Sequence, residues 1–539
     1  MADWVHWNDS SILNGLNSSK DAAISRLHPD LLWFIFGKNS EIPPSTDFHE
    51  RLATARATSQ VCRQWREVVL RSSALWGRLI DLDLLHQPNW RDEVLSRTGN
   101  SLLWIQGTIS LSNREFFFTL LDQHWTRVQK LEVIEVSGIH DRNLHIWEVL
   151  YRPARHLQTI RISLGHNDQE SYPSGTLFSD AAPTLREFSA SAFRFNPCAP
   201  WLSGICNMTF AHHFTIPEIF EALGMMPLLE CLSIRSGPRQ WQLINPDNMI
   251  FPDLSQILLP RLTKLTLIGK IHVCLPFLAC LAPRTGCSLL ATISPMRDAQ
   301  WDPNIPTLLD ATSKHMVKYS RNYFTTHTMT RASLECSSFW VEFRDISDPN
   351  PDENPSYVIE IYDSQELSMA LLTELATPSF MTSVEVLHLD ISLVQTYLTQ
   401  PLTSLLPLLH SVVNLETNDD ALEFILEHFL YPFSLFPVLH TITAHRINNL
   451  EHSSQYPSGV FFSFMKKRKD AGFPVSVFDL TKFPIRRSYD MDFLEGLTGL
   501  VVKWMQDDEV REYLCGSGSP HQLRFSRILR MSEDDDSAE

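Results

Sequence analysis

The chain has 539 residues, 44% hydrophobic and 20% charged, with a net charge of −17. That length exceeds one compact core and implies two or more units or one elongated array. The apolar content is enough for most of the chain to fold, and the acidic balance argues against general nucleic-acid binding, because phosphates are repelled.

In chain order, residues 1–22 read as a flexible segment; the acidic start Met1-Ala-Asp-Trp-Val-His-Trp-Asn-Asp9 lacks the apolar stretch of a signal peptide. The stretch Ile24-Ser-Arg-Leu-His-Pro-Asp-Leu-Leu-Trp-Phe-Ile-Phe36 follows. Pro29 suits a first helical position, where its missing N–H has no partner to lose. Leu31, Leu32, Ile35 and Phe36 then fall at helical spacing and predict an apolar face, with Gly37 as its stop. Residues 38–47, carrying Asn39, Ser40, Pro43 and Pro44, read as a loop. One helix is predicted from Phe48 to Leu70, with Leu52, Ala55, Ser59, Cys62, Trp65 and Val69 facing inward. Leu75 and Trp76 offer a second aromatic anchor, and Ile80, Leu82 and Leu84 alternate like a first strand. Arg51, Arg56, Arg63, Arg66, Arg71 and Arg78 stand against the lone acid Glu67, so a basic face flanks the apolar one. Such a surface suits a partner that is both acidic and apolar.

These residues resemble an F-box. Leu27, Pro29, Leu31, Leu32, Ile35 and Phe36 occupy most of a Leu-Pro-x-Glu-Leu-Leu-x-x-Ile-Phe pattern. Val61, Cys62, Arg63 and Trp65 match Val-Cys-(basic)-x-Trp, and Leu75 with Trp76 supplies the later Leu-Trp. In this form it is similar to the large F-box families of mushroom-forming fungi. His28, Asp30 and a longer loop between the helices depart from the pattern. The resemblance implies a helical module at residues 23–80 that docks on a Skp-family adaptor and, through it, the cullin scaffold of an SCF-type ubiquitin ligase. The chemistry would then belong to the partners. The alternative is that the same helices only cap the first strand of a repeat-based interaction scaffold.

Residues 81–530 carry a refrain of short Leu-x-x-Leu/Ile-x-Leu/Ile strands, at 131–136, 157–162, 185–188, 229–234, 262–267, 384–389, 409–415 and 439–442. Several are introduced by Pro-x-Leu, as at Pro183-Thr-Leu185 and Pro260-Arg-Leu262. Helices are predicted at 114–123, 217–226, 421–430 and from Phe461, where Lys466-Lys-Arg-Lys469 reads as a solvated helix end or an import signal. The spacing approaches that of leucine-rich repeats but is irregular. The predicted fold class is α/β: a small N-terminal helical F-box followed by an irregular leucine-rich-repeat-like solenoid of alternating helices and short parallel strands. A hairpin excursion at about 335–365, with strands Phe339–Phe343 and Tyr357–Tyr362, interrupts it. Residues 165–182 read as a long loop and 531–539 as a disordered acidic tail.

No chemistry is marked. The 9 cysteines include no C-x-x-C pair and read as core thiols in a reducing compartment. No phosphate loop, nucleophile elbow, dinucleotide fingerprint or His-Glu-x-x-His is present. His212-His213 reads as a hydrogen-bonded or solvated pair. Trp104, Trp125, Trp147, Trp201, Trp241, Trp301 and Trp340 read as core anchors. The chain is therefore expected to be no enzyme, to hold no metal or cofactor, and to bind a protein substrate. Its longest apolar runs, such as Val273 to Ala282, are shorter than the ~18 residues of a membrane span. A cytoplasmic or nuclear location is expected.

Overall fold

The computed structural model describes residues 27–39, 50–135, 144–164, 176–190, 193–210, 214–235, 256–294, 305–348, 357–376, 381–392, 396–446, 459–483, 489–506 and 509–525. The chain is mixed α/β, with mostly parallel strand pairing, and divides into two units, Met1–Ile205 and Cys206–Glu539.

The first unit opens with helices α1 (Pro29–Asn39), α2 (Glu50–Val61), α3 (Arg63–Arg71) and α4 (Ser73–Gly77). The single helix predicted from Phe48 to Leu70 is in fact two. Cys62 is extended (φ −155, ψ 171), and its Sγ accepts the Trp65 N–H at 3.5 Å, capping α3. Ser72 repeats the device one helix later, its Oγ accepting the Leu75 N–H at 3.4 Å. Gly37 does not stop α1, which runs on to Asn39. The predicted strand over Ile80–Leu84 shortens to β1 (Ile80–Asp81), because the amides of Leu84 and Leu85 turn back to the Asp81 carbonyl. Then come α5 (Pro88–Thr98), β2 (Leu103–Ile109), α6 (Arg114–His124), β3 (Val128–Glu135), β4 (Thr159–Ser163) and β5 (Glu187–Ala190). Each strand pairs in parallel with the next. Gly107 (φ +115) brings β2 against the β1 turn; a Cβ there would meet Asp83 Oδ2 at 2.9 Å.

The second unit runs β6 (Asn207–Phe210), α7 (Ile216–Gly224), β7 (Cys231–Arg235), β8 (Ile257–Leu259), β9 (Lys264–Lys270), α8 (Ile271–Cys280), β10 (Leu281–Pro283) and β11 (Ser288–Ser294). It continues through α9 (Ile305–Phe324), β12 (Arg331–Cys336), β13 (Trp340–Asp345), β14 (Tyr357–Tyr362), α10 (Gln365–Leu375), β15 (Val386–Ile391), α11 (Thr396–Leu405) and β16 (Asn414–Asn418). It closes with α12 (Asp419–His428), β17 (Thr441–Arg446), α13 (Gly459–Asp470), β18 (Val477–Leu480), β19 (Tyr489–Asp490), β20 (Val501–Gln506), β21 (Glu509–Leu514) and β22 (Arg524–Phe525). The main sheet follows chain order in parallel from β6 through β7 and β9 to β11, and again from β15 to β20.

Between these runs the order inverts. β11 pairs with β14, β14 with β13, β13 with β12, and β12 with β15. The predicted hairpin of β13 and β14 forms, but it lies within the sheet and is joined by β12, which sequence reading missed. Only the outer two pairings are parallel, so one antiparallel strand is carried inside a parallel sheet.

One construction recurs at the strand starts of both units. An apolar residue just before the strand closes a tight turn, its amide donating to the carbonyl three residues back. This holds for Leu157, Leu185, Leu229, Leu262, Val384, Val412, Leu439 and Leu500, all nearly or fully buried. The next residue then donates to the neighbouring strand: Gln158 to Gln129, Arg186 to Gln158, Thr263 to Glu230, Val413 to Glu385, His440 to Val413. The leucine thus anchors the turn in the core while the following amide sets the register. Along each strand, alternate residues such as Leu387, Leu389 and Ile391 go inward, leaving a polar face opposite.

Candidate functional site

Two surfaces stand out, one in each unit. The first is built on α1. Leu32 and Phe36, one turn apart, are buried, and Phe36 meets the half-buried Trp65 of α3 edge-on at 5.0 Å. Trp33 Nε1 donates to Ser72 Oγ at 2.8 Å, and Gln64 Nε2 to the Leu27 carbonyl at 3.2 Å, so α1 is tied to the α3 region just before its start and near its middle. Below them Leu75 and Trp76 are buried, with Trp76 Nε1 bonded to the Val69 carbonyl and Arg97 over its ring at 4.9 Å.

Opposite the buried edge, α1 is also apolar. Leu31 is 54% exposed, Phe34 56% and Ile35 42%, and the three share one helix face at i, i+3 and i+4. Pro29 is exposed at the start of α1, and Val61 is 58% exposed at the end of α2. A hollow on α3 is lined by Cys62, Arg63, Arg66, Glu67, Leu70 and Arg71, and Arg63 spends part of its charge on Glu67 at 3.3 Å.

The eleven predicted docking residues therefore separate into three groups. Leu32, Phe36, Leu75 and Trp76 are core, and Leu27, Cys62 and Trp65 are half-buried supports. Pro29, Leu31, Ile35 and Val61 are outward. Sequence reading missed Phe34, whose i+3 spacing from Leu31 was available to find it.

The second surface is the polar face of the sheet in the second unit. Four carboxylates stand opposite one another on adjacent strands: Glu360 on β14, Glu342 on β13, Glu335 on β12 and Asp390 on β15. Arg344 pairs with Glu342 and reaches Glu360 at 3.8 Å. His388 lies 3.8 Å from Glu335 and 3.7 Å from Glu416, and its ring meets that of His445 at 4.6 Å. His445 Nε2 is 3.2 Å from Asp390 Oδ2. His388 and Lys482, the latter at 2.8 Å, hold Glu416 down to about 2 against the opposing effect of burial. Beside this cluster a hollow of about 530 Å³ is lined by residues including Asn414, Glu416, Asp479, Lys482 and Lys503.

Among the described residues no group of three or more His, Cys, Asp and Glu is arranged to hold a metal, and no helix is long and apolar enough to cross a membrane. Burial pushes the thiols of Cys274, Cys287 and Cys336 up to about 12, which leaves them protonated and unreactive.

Other expectations meet mixed outcomes. Arg468, within the run read as a solvated helix end, is 1% exposed and donates to the carbonyls of Phe433, Leu435 and Phe436. Trp125, Trp147 and Trp201 are core, whereas Trp104 and Trp340 are half-buried. Residues 1–22, the loop at 40–47, His212-His213, Trp241, Trp301, most of the 165–182 loop and the acidic tail lie outside the described residues. No family model and no curated protein matches the chain.

Proposed function

We propose that this protein is a substrate-recognition subunit of an SCF-type cullin–RING ubiquitin ligase. In this reading α1 and α3 dock on a Skp-family adaptor, and a degenerate leucine-rich-repeat-like body presents its strand face to a protein substrate. The carrying observation is the exposed stripe Leu31, Phe34 and Ile35 on a helix whose other edge is already packed through Leu32 and Phe36. A helix that is apolar on both sides calls for cover on both sides. The exposed Arg56, Arg63, Arg66 and Arg71 beside it favour an acidic partner surface.

The recurring leucine turn and parallel register support the repeat-like reading, since each strand start is completed by its neighbour. The capping alternative requires Leu31, Ile35 and Trp65 to be buried against residues 80–110; Leu31 and Ile35 are exposed, and Trp65 is half-buried with Phe36 of α1 against it. The role is non-catalytic: holding substrate near a charged ubiquitin-conjugating enzyme raises its effective concentration. Co-purification with a Skp-family adaptor tests the reading. Wild type retains the adaptor, and the Leu27→Ala/Pro29→Ala double variant loses it; equal recovery by both overturns the assignment.

A further inference from the structure

We infer that the strand face of the second unit binds an extended partner segment bearing lysine or arginine side chains, which sit on Glu360, Glu335 and Asp390, the accessible members of the acidic row. This names the substrate chemistry for the recognition role and rests on that reading.

Four observations lead there. First, the row puts like charges directly across three successive strand pairings. Such neighbours destabilise a sheet, so an arrangement kept at that cost points to a cationic occupant. Arg344 offsets part of the charge, and His388 and His445 contribute only when protonated. Second, three of the four carboxylates are neither free in solvent nor sealed, while Glu342, its side chain 4% exposed, is buried against Arg344. The side chains of Glu335, Asp390 and Glu360 are 29%, 25% and 20% exposed, so a cation can reach them in a partly desolvated setting where its attraction is stronger.

Third, an aromatic shelf flanks the row where β12 turns into β13. Phe339 is 68% exposed and Tyr362 38%, Trp340 stacks on Tyr362 at 6.4 Å, and Tyr362 Oη lies 3.5 Å from Glu360. Aromatic faces beside carboxylates receive both the apolar stem and the charged head of a long basic side chain. Fourth, the dimensions agree. Strands ~4.8 Å apart put Glu360 and Asp390, three strand pairings apart, roughly 14 Å from each other, and alternate residues of an extended peptide repeat at about 7 Å, so basic residues at i, i+2 and i+4 span the same distance. The adjoining hollow, with Lys482 and Lys503 as well as Glu416 and Asp479, gives the flanking chain a mixed polar bed.

The test is fluorescence anisotropy of the full chain with a labelled peptide alternating lysine and serine, and with its glutamate counterpart. The lysine peptide binds and weakens with added salt, while the glutamate peptide does not bind. Glu335→Gln/Asp390→Asn weakens binding about tenfold without lowering the melting temperature, because it also removes repulsion. If the double variant folds poorly, Glu335→Gln alone and Phe339→Ala carry the comparison, each with weakened binding. No binding by wild type, equal binding of the two peptides, or unchanged affinity in the folded variants overturns the inference. A parallel adaptor titration separates the two readings. Adaptor binding without peptide binding removes this inference alone; peptide binding without adaptor binding removes the ligase assignment and leaves the basic-segment site.

Discussion

At the scale of single residues, Arg468 shows how charge can be buried for structure. Its guanidinium satisfies three carbonyls around Phe436, a bulky residue held at φ +53. Burial lowers its own pKa only to about 10, so it stays charged. Arg468→Ala strands those carbonyls, and a loss of about 2–4 kcal/mol in urea unfolding is expected. A change under about 0.5 kcal/mol would mean that the carbonyls find other partners. The run Lys466-Lys-Arg-Lys469 looked solvated because composition cannot tell which of four cations points inward. Glu416 gives a pH dependence. Its folded pKa of about 2 lies below the ordinary value of 4.5, so its contribution is present above about 4.5 and fades as pH falls toward 2. Wild type should exceed Glu416→Gln by about 2 kcal/mol at pH 5, and by less than half that at pH 3. A gap that does not narrow in denaturation at the two pH values would show that Glu416 acts through packing.

Among elements, α1 is where reading by pattern succeeded and stopped short. Pro29 marked its start, and Leu32 and Phe36 proved to be core, but Leu31 and Ile35 turned outward although all four belong to one apolar pattern. Periodicity finds apolar positions; only the neighbouring α3 decides which edge is covered. Leu32→Ala should therefore cost about 2–5 kcal/mol, while Leu31→Ala stays within about 0.5 kcal/mol of wild type in thermal unfolding. Equal costs would place both residues in one core. The break at Cys62 was hidden because α2 and α3 share compatible spacing, and the cap depends on a thiol that no helix-start rule weights heavily. The strands of the refrain were legible, and in most of them the first apolar residue falls just before the strand, Leu131 inside β3 being an exception. β12 was not, since Arg331-Ala-Ser-Leu-Glu-Cys336 carries the alternation without the Leu-x-x-Leu signature.

For the whole molecule, the sequence disclosed a mixed α/β chain with mostly parallel strands, because the refrain is local and repeated. The inverted order of β14, β13 and β12 was not legible: pairing between strands distant in sequence leaves no local mark. The carboxylate row went unread for the same reason, since its four members come from four strands. In the proposed role attachment falls to the first unit and capture to the second, each on a side-chain surface that its own core does not use.

Titration calorimetry of the purified full chain with a purified Skp-family adaptor, on wild type and on Leu31→Ser/Ile35→Ser, tests that division most directly. The account predicts a saturable heat for wild type, its loss in the double variant, and an unchanged melting temperature between the two. No heat from folded wild type, or the same affinity in the double variant, would contradict it.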